Sequence, residues 1–280
     1  MGCSGAREEK ENFILTEHYV DEYEIDKEIT IINTIENKNK ESLIPGEKVN
    51  EEYLKKCEQC FNEKDIKQVL IRINDELIPF SYKYKFPSIG NYTIKYTFPH
   101  SLEKACYLFC GCNTLKKADL SNFDTSKLKN ISNMFDSCSN LETLIFFNSP
   151  IEKVTEVNEF LKGCSEIKSV SLSNIGKEIS VSMDRIFSWC FKLENVDLSN
   201  FNAKIISAEE MFRFSDELKK IDLSGLSSTT ESKIDYMFAE VKSFEKENII
   251  IKDKRILESY NNRENLYFEE EGGDNEEMCI

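Results

Sequence analysis

Cysteine is the residue type most able to carry chemistry in this chain. Ten occur in 280 residues, too thin a density for a disulfide scaffold. Four of them, Cys112, Cys138, Cys164 and Cys190, recur every 26 residues. Stacked one per rung, their side chains would run parallel, whereas a disulfide needs converging Cβ vectors. Ser215 and Val241 continue the series, so it reads as a small buried position where thiols act as small hydrophobes. Cys57 and Cys60 form a Cys-x-x-Cys pair. A reactive pair belongs at a helix N-terminus, where the dipole favours thiolate. This one falls near the end of a predicted helix, and no second pair completes four zinc ligands. Cys106, Cys110 and Cys112 crowd together, but the last belongs to the series. His18 and His100, the only histidines, have no partners at triad or metal spacing. With ten glycines and no Gly-rich phosphate loop, we expect no catalytic residue, metal, cofactor or small-molecule substrate.

A second kind of chemistry is an address. Met1-Gly2-Cys3-Ser4-Gly5-Ala6 has the form of an N-myristoylation start, with small Ala6 replacing the usual Ser or Thr. One myristoyl chain gives only marginal binding of roughly 10⁴ M⁻¹. A basic patch is missing, because Glu8, Glu9 and Glu11 outnumber Arg7 and Lys10. Palmitoylation of Cys3 would supply the second signal. Gly2 and Cys3 are therefore the expected lipidation sites, holding the protein to a cytosolic leaflet.

The net charge of −15 excludes binding to a phosphate backbone through clustered cations. It equally disfavours a purely electrostatic hold on anionic lipid. No apolar run is long enough to span a bilayer, and no apolar stretch of signal-peptide type follows Met1.

What must position any site is a repeat. Apolar anchors recur as Ala105/Leu108/Phe109/Cys112, Ile131/Met134/Phe135/Cys138 and Val157/Phe160/Leu161/Cys164. They continue as Met183/Ile186/Phe187/Cys190, Ala208/Met211/Phe212/Ser215 and Ile234/Met237/Phe238/Val241. The spacing i, i+3, i+4, i+7 predicts one face of a short helix. Ser207–Glu210 and Ser232–Asp235 read as capping boxes. Strand patterns follow each anchor set, from Leu115-x-x-Ala118-x-Leu120 to a degenerate Phe244-x-x-Glu247-x-Ile249. Asn122, Asn148, Asn174 and Asn200 recur beyond them and are expected to bond backbone of adjacent turns. Fixed-period self-similarity means a solenoid.

The expected fold is thus an α/β solenoid of six strand–helix units of about 26 residues, with an N-terminal antiparallel β cap. Residues 1–48 read as an acidic, disordered arm carrying the lipidation signal, with room for one docked strand near Ile29–Ile32. Residues 49–104 read as a helix opened by Asn50-Glu51-Glu52, then a β meander. Its alternations are Val69/Ile71/Ile73, Phe80/Tyr82/Tyr84/Phe86 and Tyr92/Ile94/Tyr96/Phe98. Residues 105–252 form the array and 253–280 an acidic tail.

Ala118-Asp-Leu-Ser-Asn-Phe-Asp-Thr-Ser126 followed by Asn133-Met-Phe-Asp-Ser-Cys138 resembles the repeat of BspA-type leucine-rich proteins. That family includes bacterial surface lipoproteins and many protist proteins, and the resemblance covers residues 65–250. It implies a leucine-rich, non-enzymatic solenoid for adhesion or protein recognition. Two side-chain columns, Gly111/Ser137/Gly163 and Asn113/Ser139/Ser165, turn aromatic at Trp189, Phe214 and Phe191. On the strand face Ile145 and Phe147 replace polar residues. These five are the candidate partner-binding residues, the other reading being that they fill a core widened where the period slips to 25. The expected function is a lipid-tethered scaffold binding protein partners, with no nucleic acid. The alternative is an exported cell-surface adhesin or antigen, for which Asn91-Tyr-Thr93 and Asn130-Ile-Ser132 would serve as glycosylation sequons.

Overall fold

The computed structural model describes residues 11–42, 57–173, 180–239, 241 and 248–262. The start of the helix expected at Asn50, along with Asn174, Phe244 and Glu247, lies outside the described residues. The chain opens with β1 (Phe13–Val20), β2 (Ile29–Thr30), helix α1 (Ile35–Ser42) and the single turn α2 (Glu63–Ile66). β3 (Leu70–Ile73), β4 (Glu76–Ile78), β5 (Lys83–Tyr84) and β6 (Gly90–Thr97) follow. The array then supplies β7 (Leu115–Asp119), β8 (Thr143–Ile145), β9 (Ser169–Ser171), β10 (Ser180–Ser182) and β11 (Asn195–Asp197). It continues through β12 (Ala203–Ser207), β13 (Lys220–Asp222), β14 (Leu226–Ser227) and β15 (Ile249–Ile250) to helix α3 (Lys254–Asn262).

The described residues between 105 and 250 wind into a β-solenoid of about five turns. β9, β11, β13 and β15 stack in parallel, placing Val170, Val196, Ile221 and Ile249 side by side. β10, β12 and β14 form a second parallel sheet on another flank.

The strand–helix unit is corrected: the anchor sets are runs of tight turns, not helices. Their third residues Tyr107, Asn133, Glu159, Arg185 and Glu210 have φ between 52° and 60°, which an α-helix cannot contain. Alternate amides bond three residues back, as Leu108 to Ala105, Cys110 to Tyr107 and Cys112 to Phe109. The amides between them cross to the next rung: Ala105 to Asn130 at 2.9 Å, Phe109 to Met134 at 2.8 Å and Gly111 to Asp136 at 2.9 Å. Both geometries satisfy the backbone, and both turn the same four anchors inward. Apolar spacing alone therefore could not separate them. Nor do the serines read as helix caps act so, since Ser207 donates to Asp184 and Ser232 to the Ile205 carbonyl.

The core is a column of rings. Phe109 stacks on Phe135 at 5.4 Å, Phe187 on Phe212 and Phe212 on Phe238 at 5.5 Å, all within 18° of parallel. Leu161 interrupts the column, and neighbouring Phe160 meets Phe135 edge-on at 5.5 Å. Burying each side chain contributes about 1.5–3 kcal/mol before the entropy of ordering is subtracted. Tyr96 closes the first end against Phe109 at 5.2 Å, and Tyr260 closes the last against Phe238 at 5.3 Å.

Both closures differ from expectation. In the acidic arm a short strand does dock at the expected place, β2 against β5, but the strand that joins the main sheet is β1, which was not expected. It lies inside a six-stranded sheet ordered β4-β3-β6-β1-β7-β8, antiparallel to both β6 and β7. The meander loses its middle strand: of Phe80–Phe86 only β5 pairs, with β2, and its rings pack on one another (Phe80–Tyr82 at 5.1 Å, Tyr84–Phe86 at 5.0 Å). At the far end α3 buries Ile256 and Tyr260 where a polar tail was expected. Asp253 starts it, accepting from the amides of Arg255 and Ile256 and from Ser228. Burial would raise that carboxyl, but these donors outweigh it and hold it below the usual range.

The asparagine series is corrected too. Asn122 and Asn200 donate outward to Ser121 and Ser199. The corner is held by the preceding aspartates instead. Asp119, Asp197 and Asp222 each accept from the amide two residues on, at 2.9 Å.

Candidate surface site

Two neighbouring columns run along the turn flank. The inward one holds Cys112, Cys138, Cys164, Cys190 and Ser215, all fully buried. Cys138, Cys164 and Cys190 donate to the carbonyls of Phe109, Phe135 and Leu161 at 2.9–3.2 Å, and Ser215 to Phe187 at 2.6 Å. Four successive members therefore donate across the rung, serine replacing cysteine without loss of that bond, while Val241 fills the last place with no donor. Burial pushes these thiols up, Cys190 to about 12, so they are inert as nucleophiles.

One residue before each of these lies the outward column. Gly111, Ser137, Gly163, Trp189 and Phe214 all sit at φ between 59° and 75°. Glycine adopts this left-handed conformation freely, but an indole or phenyl there is an outlier. The cost is about 1–3 kcal/mol per residue. The amide of Trp189 still crosses to Arg213 at 2.9 Å, so the rung fixes the backbone and the side chain has to accept it.

The aromatics face solvent and do not fill a widened core. Trp189 is 36% exposed and Phe191 46%, and Phe214 is half-buried. Trp189 lies 4.3 Å from Phe214 and 5.8 Å, nearly perpendicular, from Phe191. The Arg213 guanidinium covers the Phe214 ring at 4.8 Å and reaches Glu210 at 3.4 Å. Arg213 was not singled out from sequence, although its position beside Phe214 is the signal that could have found it.

The strand-face candidates separate. Ile145 is 39% exposed. It lies opposite Asp119 in the sheet register, away from the turn flank. Phe147 is corrected: it is buried, packing on Phe146 at 4.7 Å and Phe123 at 6.0 Å. The chain bends inward after β8, so its alternation no longer predicts the outer face. Gly2 and Cys3 lie outside the described residues.

His18 is buried between Thr16 and Thr114, whose hydroxyls meet its ring nitrogens at 2.9 and 3.0 Å. Burial lowers it to about 3, so it is a neutral core residue. Among the described residues, no group of three or more His, Cys, Asp or Glu is placed to hold a metal. None of the described helices is long and apolar enough to cross a membrane.

No curated protein and no solved structure matches this chain. A family model described as "Mycoplasma protein of unknown function, DUF285" matches residues 102–224 and 146–253. The two matches overlap, span the solenoid and together cover more than half of the 280 residues. On that coverage, the chain belongs to the DUF285 family.

Proposed function

We propose that this protein is a non-enzymatic recognition scaffold of the BspA-type leucine-rich kind, and that Trp189, Phe191 and Phe214 form its contact with a protein partner. The observation that carries this reading is the outward column. Bulky rings occupy strained left-handed positions on two adjacent rungs, where the three preceding rungs have glycine or serine. That exchange strains the backbone, whereas a cluster of large exposed rings suits an interface anchor. A photo-crosslinking residue at Phe191 should capture a specific protein in the native cell, with Ile89 (55% exposed) as the control position. The Trp189→Ser, Phe214→Ser double variant should lose that capture. Equal capture from both positions would end the assignment.

Acylation of Gly2 and Cys3 is the proposed tether to a membrane's cytosolic face. Clickable myristate should label the wild type and not Gly2→Ala. Absence of label would remove this half of the proposal.

One observation keeps the exported reading in play: Asn91, in the first sequon, is exposed. Asn130, in the second, is buried and accepts the Ser132 amide at 2.9 Å, leaving no room for a glycan. A glycosidase-sensitive mass shift lost in Asn91→Gln would favour export.

A further inference from the structure

Outside the turn column lies a separate thiol cluster. Cys57, Cys60 and Cys106 pack together with Ile35, where the segment leading into α2 covers the first rung. Cys106 Sγ approaches the Asn130 carbonyl at 3.8 Å, and Asn130 Nδ2 approaches Cys60 Sγ at 4.0 Å. Both thiols thus converge on one residue of the second rung and pack in one buried cluster. The column cysteines instead each turn to a carbonyl of the preceding rung.

The two sulfurs are not alike. Cys106 is fully buried, whereas Cys60 keeps 7% exposure and accepts from the Asn130 side-chain amide. The neighbouring Cys106 thiol and the Lys104 ammonium lower the Cys60 thiol, against the effect of burial. Burial raises Cys106 well above its ordinary value. Cys60 is therefore the nucleophile and Cys106 the resolving thiol. Cys57 sits one turn away, its carbonyl accepting the Cys60 amide at 2.8 Å.

We propose that Cys60 and Cys106 are a disulfide-forming pair that fastens this segment covalently to the first rung of the solenoid. With hydrogen peroxide as oxidant, the Cys60 thiolate attacks one peroxide oxygen, giving the sulfenic acid and, once protonated, water. The Cys106 sulfur then attacks the Cys60 sulfur, and its proton leaves with the sulfenic oxygen as a second water. Two thiols are oxidised and one peroxide is reduced. The bond closes a loop holding β3, β4, β5 and β6, so it constrains the unfolded chain and raises stability.

The test is peptide mapping of the full-length reduced protein after peroxide, with exposed thiols alkylated before digestion. The expected result is a Cys60–Cys106 linked peptide, the loss of two free thiols and an unfolding midpoint several degrees higher. Cys138 and Cys164 should remain free. Cys57→Ser should keep the link, and Cys106→Ser should lose it and leave a Cys60 sulfenic acid that dimedone traps. A Cys57–Cys60 link, or Cys60 recovered as free thiol while glutathione in the same tube is fully oxidised, overturns the proposal. The wild-type map decides even where Cys106→Ser does not fold.

Discussion

The inward and outward columns of the turn flank share one backbone and differ by a single residue of register. The inward column keeps its chemistry over four successive rungs: Cys138, Cys164, Cys190 and Ser215 all donate to a carbonyl of the preceding rung. The outward column keeps only its backbone conformation, while its side chains change from Gly163 to Trp189 within one rung. Position in the rung decides which constraint applies. An inward group must satisfy every bond it gave up with water. An outward group need only tolerate its φ.

The comparison is broken most severely at the ring column. Phe187→Ala removes a ring stacked on Phe212 and fully buried, and should cost about 3–5 kcal/mol in chemical denaturation. Phe191→Ala, exposed, should cost less than about 0.5 kcal/mol. Similar losses at both sites would refute the inward–outward distinction.

Acid probes an inward polar group. His18 is held near 3 when folded against 6.5 when free, so only the unfolded chain takes a proton between those values. Its contribution is neutral above pH 6.5, and below it stability falls by about 1.4 kcal/mol per pH unit. Between pH 7 and pH 5 the loss should approach 2 kcal/mol on that slope. His18→Asn should flatten the wild-type curve over this window. An unchanged slope would place the titrating group elsewhere.

How much of this was legible follows from what sequence periodicity measures. The anchors Phe109, Phe135, Phe187, Phe212 and Phe238 were readable because burial depends on which residues point inward. Their secondary structure was not, since turn runs and helices bury the same positions i, i+3, i+4 and i+7. The distinguishing mark lay in Gly111, Ser137 and Gly163, whose small size records a left-handed backbone and was read only as a surface preference. β1 was hidden because Glu17 and Tyr19 face solvent while His18 and Thr16, polar residues, face the core. Trp189, Phe191 and Phe214 were legible as departures from the repeat. Phe147 was not separable from them, because the bend after β8 leaves no compositional trace.

A subtler probe asks whether the inward column selects size or donor. Cys164→Ser should be nearly neutral, keeping a hydrogen bond to the Phe135 carbonyl as Ser215 does to Phe187. Cys164→Ala should lose about 1 kcal/mol or somewhat more, because a buried carbonyl loses its donor. Equal behaviour of the two variants would reduce the column to packing.

The smallest effect is a near-cancellation. Trp189→Gly relieves a strained left-handed residue whose ring is one-third exposed. The gain from strain relief, about 1 kcal/mol, competes with the ring contact to Phe214 and with the greater freedom of glycine in the unfolded chain. We expect a net change within about 0.5 kcal/mol of zero, together with loss of partner capture. Phe191→Gly, where no positive φ is relieved, should instead destabilise. If Trp189→Gly proved as destabilising as Phe187→Ala, the ring would belong to the fold and not to recognition, and the outward column would have no claim to be a site.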